Sequence, residues 1–456
     1  MRAVMQALGY LRQLIKRSAL IGLARRPGLL LCLLCYLSPI AAAKLQASST
    51  QSLHVAVYID GAQHRRQVES LFRRFNEHHS DIELTTAVHR GIDSYANKVE
   101  KWMSTGAGPD LVYWYGGKRI AQFAELGKIT DLQDFWQRHE LDNYITSASK
   151  QAVNFRGRAH AIPAATLLWA LHYNKQQLEQ WQLEPPETWQ DLLRSCKILR
   201  ARGIDALAFG SRTQWSTHAW FDYINLRLHG LDFYQQLLDG NISFTDARVL
   251  SSLEHWKQLL DAECFNQNHA NLTIWESFPR VVLGKSAFSL CEGLPQFVRL
   301  PPGIDIEVSN FPRINDKHPL YTVHPTNVFM VPSYVSWSPA LETLLLYIAS
   351  EEFQRAFSST LVRVPAHTGA VRGQNKVNTE VAKLFYASPG GIQFLDRDSD
   401  IRFSSETPKI FVNFMQHRNV KQTAAELEDL RTNVFGPLEK HPQTSKPKQN
   451  PTKHQS

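Results

Sequence analysis

The sequence predicts an α/β fold divided into two lobes. Short apolar runs alternate with segments of helical periodicity, giving strand, helix, strand, helix and strand within residues 53–115. That order is typical of a parallel sheet with right-handed crossovers. The stretch between a predicted leader and a predicted tail is about 390 residues long, more than one hydrophobic core usually supports. An apolar strand that ends in aromatic residues, within 106–117, indicates where a ligand would lie.

The elements follow from local patterns. The first unit is a strand at 53–59, a helix at 63–78 with one apolar face, and a strand at 82–88. Thr188 and Thr273 each stand three residues before an acidic residue, which is the spacing of a capping box. The other predicted elements are a helix around 95–105, a strand at 111–113, a helix at 120–126, a hairpin around Gly157, a strand at 167–173, helices from 174 and at 188–202, strands at 207–209, 285–290 and 327–331, a helix at 341–349, and a mainly helical region at 371–435.

Residues 106–117 carry the clearest functional signal. Pro109 and Asp110 end the preceding helix, and the apolar run that follows is typical of a strand covered on both faces. Trp114 and Tyr115 stand where this strand ends, and ligands of open α/β sheets bind beyond the carboxyl ends of strands. Aromatic faces at that position suit a sugar ring. The alternative is that both side chains pack beneath the next helix.

The first 43 residues have the order of a secretory signal peptide. Six basic side chains and no acidic one precede an apolar run from Gly28 to Leu37, and small residues follow at 41–43. The run is too short to span a bilayer. We expect cleavage after Ala43 and a periplasmic mature protein. An uncleaved membrane anchor is the alternative.

The charge of the chain gives no reason to expect a nucleic-acid partner. The formal net charge is +8, but the first 43 residues hold six of the 50 basic residues, which leaves +2 for the rest. A nearly neutral body lacks the basic surface that nucleic acids require. Residues 437–456 are rich in Pro, Lys, Gln and Ser and are predicted to form a disordered basic tail.

Three cysteines follow the predicted cleavage point: Cys196, Cys264 and Cys291. One disulfide is allowed by this number but not implied, and at least one thiol is left free or able to form an intermolecular bridge. Cys196 and Cys291 lie in apolar helix and strand patterns and are interpreted as buried small hydrophobes. No spacing typical of a metal site or of a catalytic motif occurs, so no metal, cofactor or catalytic residue is predicted.

Four motifs occur in a fixed order along the chain. They are Gly108–Trp114 with Phe123–Leu132, Ala161–Pro163 with His172–Lys175, Pro186–Leu193, and Gly284–Gly293. Together they resemble the extracellular solute-binding proteins of ABC importers, in the sugar-binding group that includes maltose-binding protein. The resemblance runs from about residue 55 to about residue 435.

The resemblance implies the two-lobe periplasmic binding protein fold, with a hinge of crossing strands and a ligand cleft between the lobes. We expect lobe 1 at 44–163 and 321–369, and lobe 2 at 164–320 and 370–436. A sugar site needs aromatic faces for the ring and polar groups for its hydroxyls. The ligand contacts expected at strand ends and in the crossover are Trp114, Tyr115, Lys118, Thr166, Trp169, Gln214, Trp215, Asp222 and Glu292.

Other aromatic residues are assigned to the core. Tyr113 belongs to the buried strand, and Trp220 with Phe221 is expected to begin an amphipathic helix. Because Trp114 is expected to face the ligand, Trp114→Ala is predicted to weaken binding and to leave the melting temperature of the ligand-free protein nearly unchanged.

The predicted function is capture of a mono- or oligosaccharide and delivery to an inner-membrane ABC permease, by a monomer that is not an enzyme. Two alternatives keep the fold. One is a ligand-binding sensor partner of a receptor kinase or chemoreceptor. The other is a binding protein for a non-sugar solute such as a polyamine, whose site would need several acidic groups; the sequence offers Asp222 and Glu292.

Overall fold

A computed structural model describes residues 50–59, 61–293, 300–372 and 375–438. The predicted signal peptide at 1–43 and all but the first two residues of the predicted tail lie outside these ranges. Contacts divide the chain into two compact units, and the site described below lies entirely in the unit that contains 53–78 and residues from 84 onward. Within the described ranges, none of the helices has the length and apolar character needed to cross a membrane.

The first sheet has six strands and is mixed. Its strand order is β13-β6-β12-β3-β1-β2. β1 and β3 are parallel, with Val55 beside Leu111, whereas β12 runs antiparallel to both β3 and β6. The parallel start of the sheet was predicted, but the antiparallel β12 was not. The strands are β1 (Gln51–Tyr58), β2 (Ile82–His89), β3 (Leu111–Tyr115), β6 (Ala161–Thr166), β12 (Thr326–Met330) and β13 (Val364–Pro365).

The second sheet has four strands in the order β10-β7-β9-β8. β8 and β9 are parallel, and β7 is antiparallel to both of its neighbours. All six residues of β9 are buried, as its apolar run predicts. The strands are β7 (Ala170–Asn174), β8 (Asp205–Leu207), β9 (Ser286–Cys291) and β10 (Ile306–Ser309).

Two short pairs complete the strands. β4 (Asn154–Phe155) and β5 (Arg158–Ala159) form the predicted hairpin around Gly157, whose φ of 81° is the left-handed conformation that favours glycine. β11 (Thr322–Val323) and β14 (Gly391–Ile392) pair in parallel. This second pair joins distant parts of the chain, and the sequence did not indicate it.

Helices connect most strands of the two sheets. The capping boxes at Thr188 and Thr273 are both present, and the Asn174 side chain caps the helix that follows it. The helices are α1 (Ala62–His78), α2 (Ile92–Thr105), α3 (Lys118–Glu125), α4 (Gln133–Arg138), α5 (Ser147–Gln151), α6 (Lys175–Trp181), α7 (Trp189–Arg200), α8 (His218–Leu238), α9 (Ala247–Asp261), α10 (Ile274–Ser277), α11 (Pro279–Val282), α12 (Pro339–Ala349), α13 (Glu351–Leu361), α14 (Lys376–Ala387), α15 (Leu395–Asp398), α16 (Ile401–Ser404), α17 (Thr407–His417) and α18 (Val420–Phe435).

The chain passes between the two sheets more than once. It leaves the first sheet after β6, enters the second at β7, and returns to the first at β12. Tyr223 of α8 joins the two passages, because its hydroxyl donates to the carbonyl of Trp169 and accepts the Val323 N–H at 3.3 Å. The lobe boundaries at 163–164, 320–321 and 369–370 stay a prediction.

A buried arginine also holds the return passage. Arg227, one turn after Tyr223 on α8, is 1% exposed. Its guanidinium donates to the carbonyls of Phe311 (3.1 Å) and Tyr321 (2.6 Å). Because a buried charge is costly unless it is hydrogen-bonded, these contacts tie α8 firmly to the segment that returns to the first sheet.

The cysteines correct one prediction. Cys196 of α7 forms a disulfide with Cys264, just after α9, so the interpretation of Cys196 as a small buried hydrophobe is wrong. The same interpretation of Cys291 is confirmed, since this thiol is free and buried. Spacing could not reveal the pairing, because 68 residues separate the two partners.

Candidate functional site

Trp114 and Tyr115 end β3, as predicted. The two side chains differ from each other in how deeply they are buried. Trp114 is 6% exposed, and its ring lies 6.0 Å from that of Tyr95 and 6.4 Å from that of Phe123. Its indole Nε1 is buried and has no hydrogen-bond partner among the described residues. Tyr115 is half-buried, with its ring 5.1 Å from that of Trp114. Trp114 therefore belongs to the core by packing, while its N–H lacks a partner.

Arg397 of α15 covers the other side of Tyr115. Its guanidinium carbon lies 4.1 Å from the centre of the Tyr115 ring, a cation–π distance. The same guanidinium donates to Oδ1 of Asn327 in β12 at 3.0 Å. Loss of hydration raises the pKa of Tyr115 to about 12, although Arg397 opposes this change. Tyr115 is therefore a neutral hydrogen-bonding group at neutral pH.

Glu292 follows β9, and the charges of two arginines influence its carboxyl. Removal from water raises the pKa of its carboxyl to about 7, and the charges of Arg363 and Arg397 limit this increase. Arg363 donates to the hydroxyl of Tyr113 at 3.0 Å, while its buried Nε has no partner among the described residues. Two arginines therefore act electrostatically on Glu292, and its role as a ligand contact stays a prediction.

The start of α3 joins the same region. A Cβ on Gly117 would lie 2.3 Å from Oδ1 of Asp398, so only glycine allows this approach, and its φ of 68° is also left-handed. Asp398 accepts the N–H of Gln393 at 2.6 Å and that of Lys118, while loss of hydration raises its pKa to about 6. The Lys118 ammonium pairs with Asp239 at the end of α8.

Arg119 completes the contacts of α3 with α15. Its guanidinium donates to the carbonyl of Asp396 and, at 3.4 Å, to the hydroxyl of Ser404. The Asp396 Oδ1 is buried without a partner among the described residues, and burial raises the pKa of its carboxyl. We call this whole set the polar patch; its charged members are Lys118, Arg119, Arg363, Arg397, Asp239, Glu292, Asp396 and Asp398. Cations and carboxylates are equal in number, so the polar patch has no net charge when all are ionised.

An aromatic group adjoins the polar patch through Phe394, three residues before Arg397. The Phe394 ring lies 5.2 Å from that of Trp169 and 5.9 Å from that of Trp215. Trp169 is 1% exposed, and its Nε1 has no partner among the described residues. Trp215 is half-buried. The structure therefore brings these two predicted residues together.

Gln214 occupies a strained turn immediately before Trp215. Its φ of 60° and ψ of −44° fit a γ-turn of the rare hand, closed by the Trp215 N–H donating to the Thr213 carbonyl at 2.7 Å. Such conformations cost about 1–3 kcal/mol and cluster at functional sites. The turn leaves the Gln214 side chain exposed and directs Trp215 against Trp169.

Two predicted contacts need correction. Thr166 is fully buried, and its hydroxyl is paired with that of Thr326 at 2.9 Å. Asp222 is fully buried in α8, where one oxygen accepts from the Tyr234 hydroxyl and the other accepts the Leu395 N–H at 3.2 Å. Burial raises the pKa of Asp222. Neither side chain can meet a ligand directly here; Asp222 instead positions the start of α15.

Sequence patterns missed several members of the polar patch. Arg363 follows a helix and Asp396-Arg397-Asp398 reads as a solvated charged turn, so neither pattern differs from an ordinary surface. Asn327 was assigned only to a strand. No local signal would have found these residues, because their proximity depends on long-range packing. Trp220 and Phe221 are each 1% exposed in α8, as predicted.

Comparison with known proteins agrees with this architecture. The model of the bacterial extracellular solute-binding protein family matches residues 61–263. An uncharacterized ABC transporter extracellular-binding protein from Pyrococcus horikoshii is 22% identical over 337 residues, which are 71% of this chain and 74% of that protein. The melibiose/raffinose/stachyose-binding protein MelE from Bacillus subtilis is 23% identical over 299 residues, 63% of this chain and 68% of that protein.

A solved structure shows the same fold. The bacterial solute receptor AcbH, described as having an exclusive preference for β-D-galactopyranose, has a TM-score of 0.76 at 19% identity. The match covers 85% of this chain and all of AcbH. The α/β two-lobe fold class is confirmed by this likeness. The family model, the relatives and the fold all agree with the resemblance to extracellular solute-binding proteins of ABC importers that the sequence shows, and that resemblance is confirmed.

Proposed function

We propose that this chain captures a mono- or oligosaccharide in the periplasm and delivers it to an inner-membrane ABC permease. The observation that carries this proposal is a set of buried polar atoms, in the polar patch and in the tryptophans near it, that have no hydrogen-bond partner among the described residues: Nε1 of Trp114 and Trp169, Nε of Arg363 and Oδ1 of Asp396. Each such atom costs about 1–3 kcal/mol when unsatisfied. A ligand rich in hydroxyl groups would supply partners to donors and acceptors alike.

The charge balance of the polar patch favours a neutral ligand. When all of its members are ionised, its arginines and lysine are matched by carboxylates, and protonation of Glu292, whose pKa is about 7, only adds positive charge, so the polar patch has no excess negative charge to bind a polyamine. Tyr115 and Trp215 are half-buried aromatic residues that offer faces to a sugar ring. The relatives MelE and AcbH, named for sugars, support the same class of ligand.

Capture of the sugar would depend on contacts with side chains near the first sheet and with side chains near the second. Tyr115 and Arg363 adjoin strands of the first sheet, while Glu292 follows a strand of the second and Arg397 lies on α15, which packs on α8. A ligand that bonds to both sets stabilises the arrangement in which they are close. Sugar thereby shifts the hinge equilibrium toward that closed arrangement.

A sugar screen tests the proposal. The purified protein is titrated calorimetrically with galactose, melibiose, raffinose, stachyose, glucose, maltose and maltotriose. Spermidine is titrated in the same way to test the alternative that the ligand is a polyamine. We expect at least one sugar to bind and to raise the melting temperature, because a ligand that binds only the folded state stabilises it. If no sugar binds, or if only spermidine does, the proposal fails.

A matched pair of arginine variants links binding to the polar patch. Arg397→Gln removes the charged donor over Tyr115, and a hydrogen bond to a charged group is worth about 1.5–3 kcal/mol, so affinity should fall about 10- to 100-fold. Arg248, exposed at the start of α9, is the control, since its guanidinium also lies over an aromatic ring, 4.2 Å from the centre of the Phe233 ring in α8. Arg248→Gln should change affinity less than about twofold. Equal effects of both substitutions would contradict the assignment.

Delivery to a permease is supported by the ABC transporter relatives. Cells that depend on this importer should lose uptake of the bound sugar when the gene is deleted, and regain it with wild-type protein but not with the Arg397→Gln variant. Unchanged uptake together with a lost transcriptional or chemotactic response would favour the sensor role instead.

A further inference from the structure

Trp275 lies beside Trp215 because two loops approach each other closely. A Cβ on Gly210 would lie 2.1 Å from the carbonyl oxygen of Thr273, so the loop after β8 makes backbone contact with the start of α10. The N–H of Arg212 donates to the Leu272 carbonyl at 2.9 Å. This packing brings the Trp215 and Trp275 rings to 6.3 Å between centres, at an interplanar angle of 53°.

These two tryptophans differ from the tryptophans of the surrounding core. Trp189, Trp220 and Trp256 near the second sheet are between 0% and 3% exposed, whereas Trp215 and Trp275 are both half-buried. Neither of their indole N–H groups has a hydrogen-bond partner among the described residues. Each therefore keeps part of an aromatic surface and a donor available to an outside molecule.

Trp215 and Trp275 extend the cluster of aromatic rings around Phe394 and Trp169 away from the polar patch. Trp169 beside the hinge meets Trp215 edge-on at 5.7 Å, and Trp215 in turn meets Trp275. The exposed side chain of Gln214, held by its strained turn, adjoins the middle of this row. Aromatic faces in series, with a planar amide beside them, are suited to successive sugar rings.

We propose that Trp275 and Trp215 form an outer subsite for a second sugar ring, so that the ligand is an oligosaccharide of at least two rings. This inference rests on the proposed function, because it takes the polar patch as the place of the first ring. The outer ring would stack on the indole surfaces and exchange a hydrogen bond with the Gln214 amide. Trp275 would then set the preference for ligand length.

Affinities along a length series test the subsite. Wild type and Trp275→Ala are titrated with two series of increasing length. One is galactose, melibiose, raffinose and stachyose, and the other is glucose, maltose and maltotriose, so that affinity can be compared with length in whichever series binds. In the series that binds, wild type should gain affinity from one ring to two. Trp275→Ala should lose about tenfold for the longer sugars, the value of one stacked aromatic contact, and less than twofold for the monosaccharide.

Two further variants keep the result interpretable. Trp337→Ala removes a tryptophan that is 43% exposed on the first sheet's side, and it should leave all affinities unchanged. Trp275→Phe retains an aromatic face and should recover most of the loss, provided that circular dichroism shows both Trp275 variants folded. A loss shared equally by mono- and oligosaccharides, or no loss for any sugar, would overturn the subsite. Tight binding of a monosaccharide alone would overturn it and leave the proposed function standing, whereas no sugar binding to wild type would reject both.

Discussion

Substitution of Trp114 separates ligand binding from folding stability. Its ring packs against Tyr95, Tyr115 and Phe123, while its buried Nε1 has no partner among the described residues. The ring is therefore expected to serve packing, and the N–H to serve the ligand. Alanine removes both contributions, whereas phenylalanine keeps an aromatic ring and removes only the donor.

The expected magnitudes follow from this environment. At 6% exposure, Trp114→Ala should lower the free energy of unfolding by about 3–5 kcal/mol, the usual cost of deleting a core aromatic. The sequence-based prediction that Trp114→Ala leaves the melting temperature of the ligand-free protein nearly unchanged is therefore replaced by a predicted loss of stability. Trp114→Phe should cost about 1 kcal/mol, because removing an unsatisfied donor offsets part of the lost packing. Its affinity for sugar should fall about 2- to 10-fold, the worth of one neutral hydrogen bond.

Urea unfolding of the ligand-free protein and calorimetric titration with the sugar that binds best measure the two quantities. Trp136→Phe is the matched control, because Trp136 is 1% exposed and its Nε1 already donates to the Ala161 carbonyl at 3.2 Å. The control should lose stability and keep its affinity. Full affinity in Trp114→Phe would show that the N–H does not meet the ligand, and full stability in Trp114→Ala would show that the ring is not core.

Three further predictions concern stability and the hinge. Replacing both Cys196 and Cys264 by alanine opens a loop of 68 residues and should cost about 4 kcal/mol in urea unfolding; an equal midpoint with and without reductant would contradict this. Burial lowers the pKa of His172 to about 4 and that of His218 to about 3, so the stability gained from their neutral forms is complete above pH 6.5 and is lost as pH falls through 4. Melting temperatures from pH 7.5 to 4 should therefore decrease, and the decrease should shrink when both histidines are replaced by glutamine; an unchanged slope would refute the assignment. Tyr223→Phe removes the hydroxyl that joins the two passages between the sheets. It should lower the free energy of unfolding by about 1–3 kcal/mol and weaken sugar binding. Unaltered affinity at unaltered stability would show that this link does not control the hinge.

Local patterns were sufficient for most secondary structure. The helix Ala62–His78 buries Val68, Leu71, Phe72 and Phe75, the apolar face read from its periodicity. The capping box at Thr188 formed as its spacing predicts. These features depend on residues close in sequence, so neighbours alone determine them.

The site was only partly readable from the sequence. Trp114, Trp169 and Trp215 stood out as aromatics near strand ends, and the structure places two of them against Phe394. Asp222 had the right chemistry, but its oxygens are consumed by Tyr234 and Leu395. A side chain's neighbours in sequence do not reveal whether its hydrogen-bonding capacity is already used.

By itself, the sequence determined the α/β class, the order of most strands and helices, the aromatic strand end at Trp114, and the resemblance to a family, because each depends on spacing along the chain. Only the tertiary structure decided that Arg397 lies over Tyr115 and bonds to Asn327, that Cys196 bonds to Cys264, and that Trp275 adjoins Trp215. The physical reason is that these contacts join residues brought together by sheet topology and core packing, and the free energy of those interactions leaves no periodic trace in the local sequence.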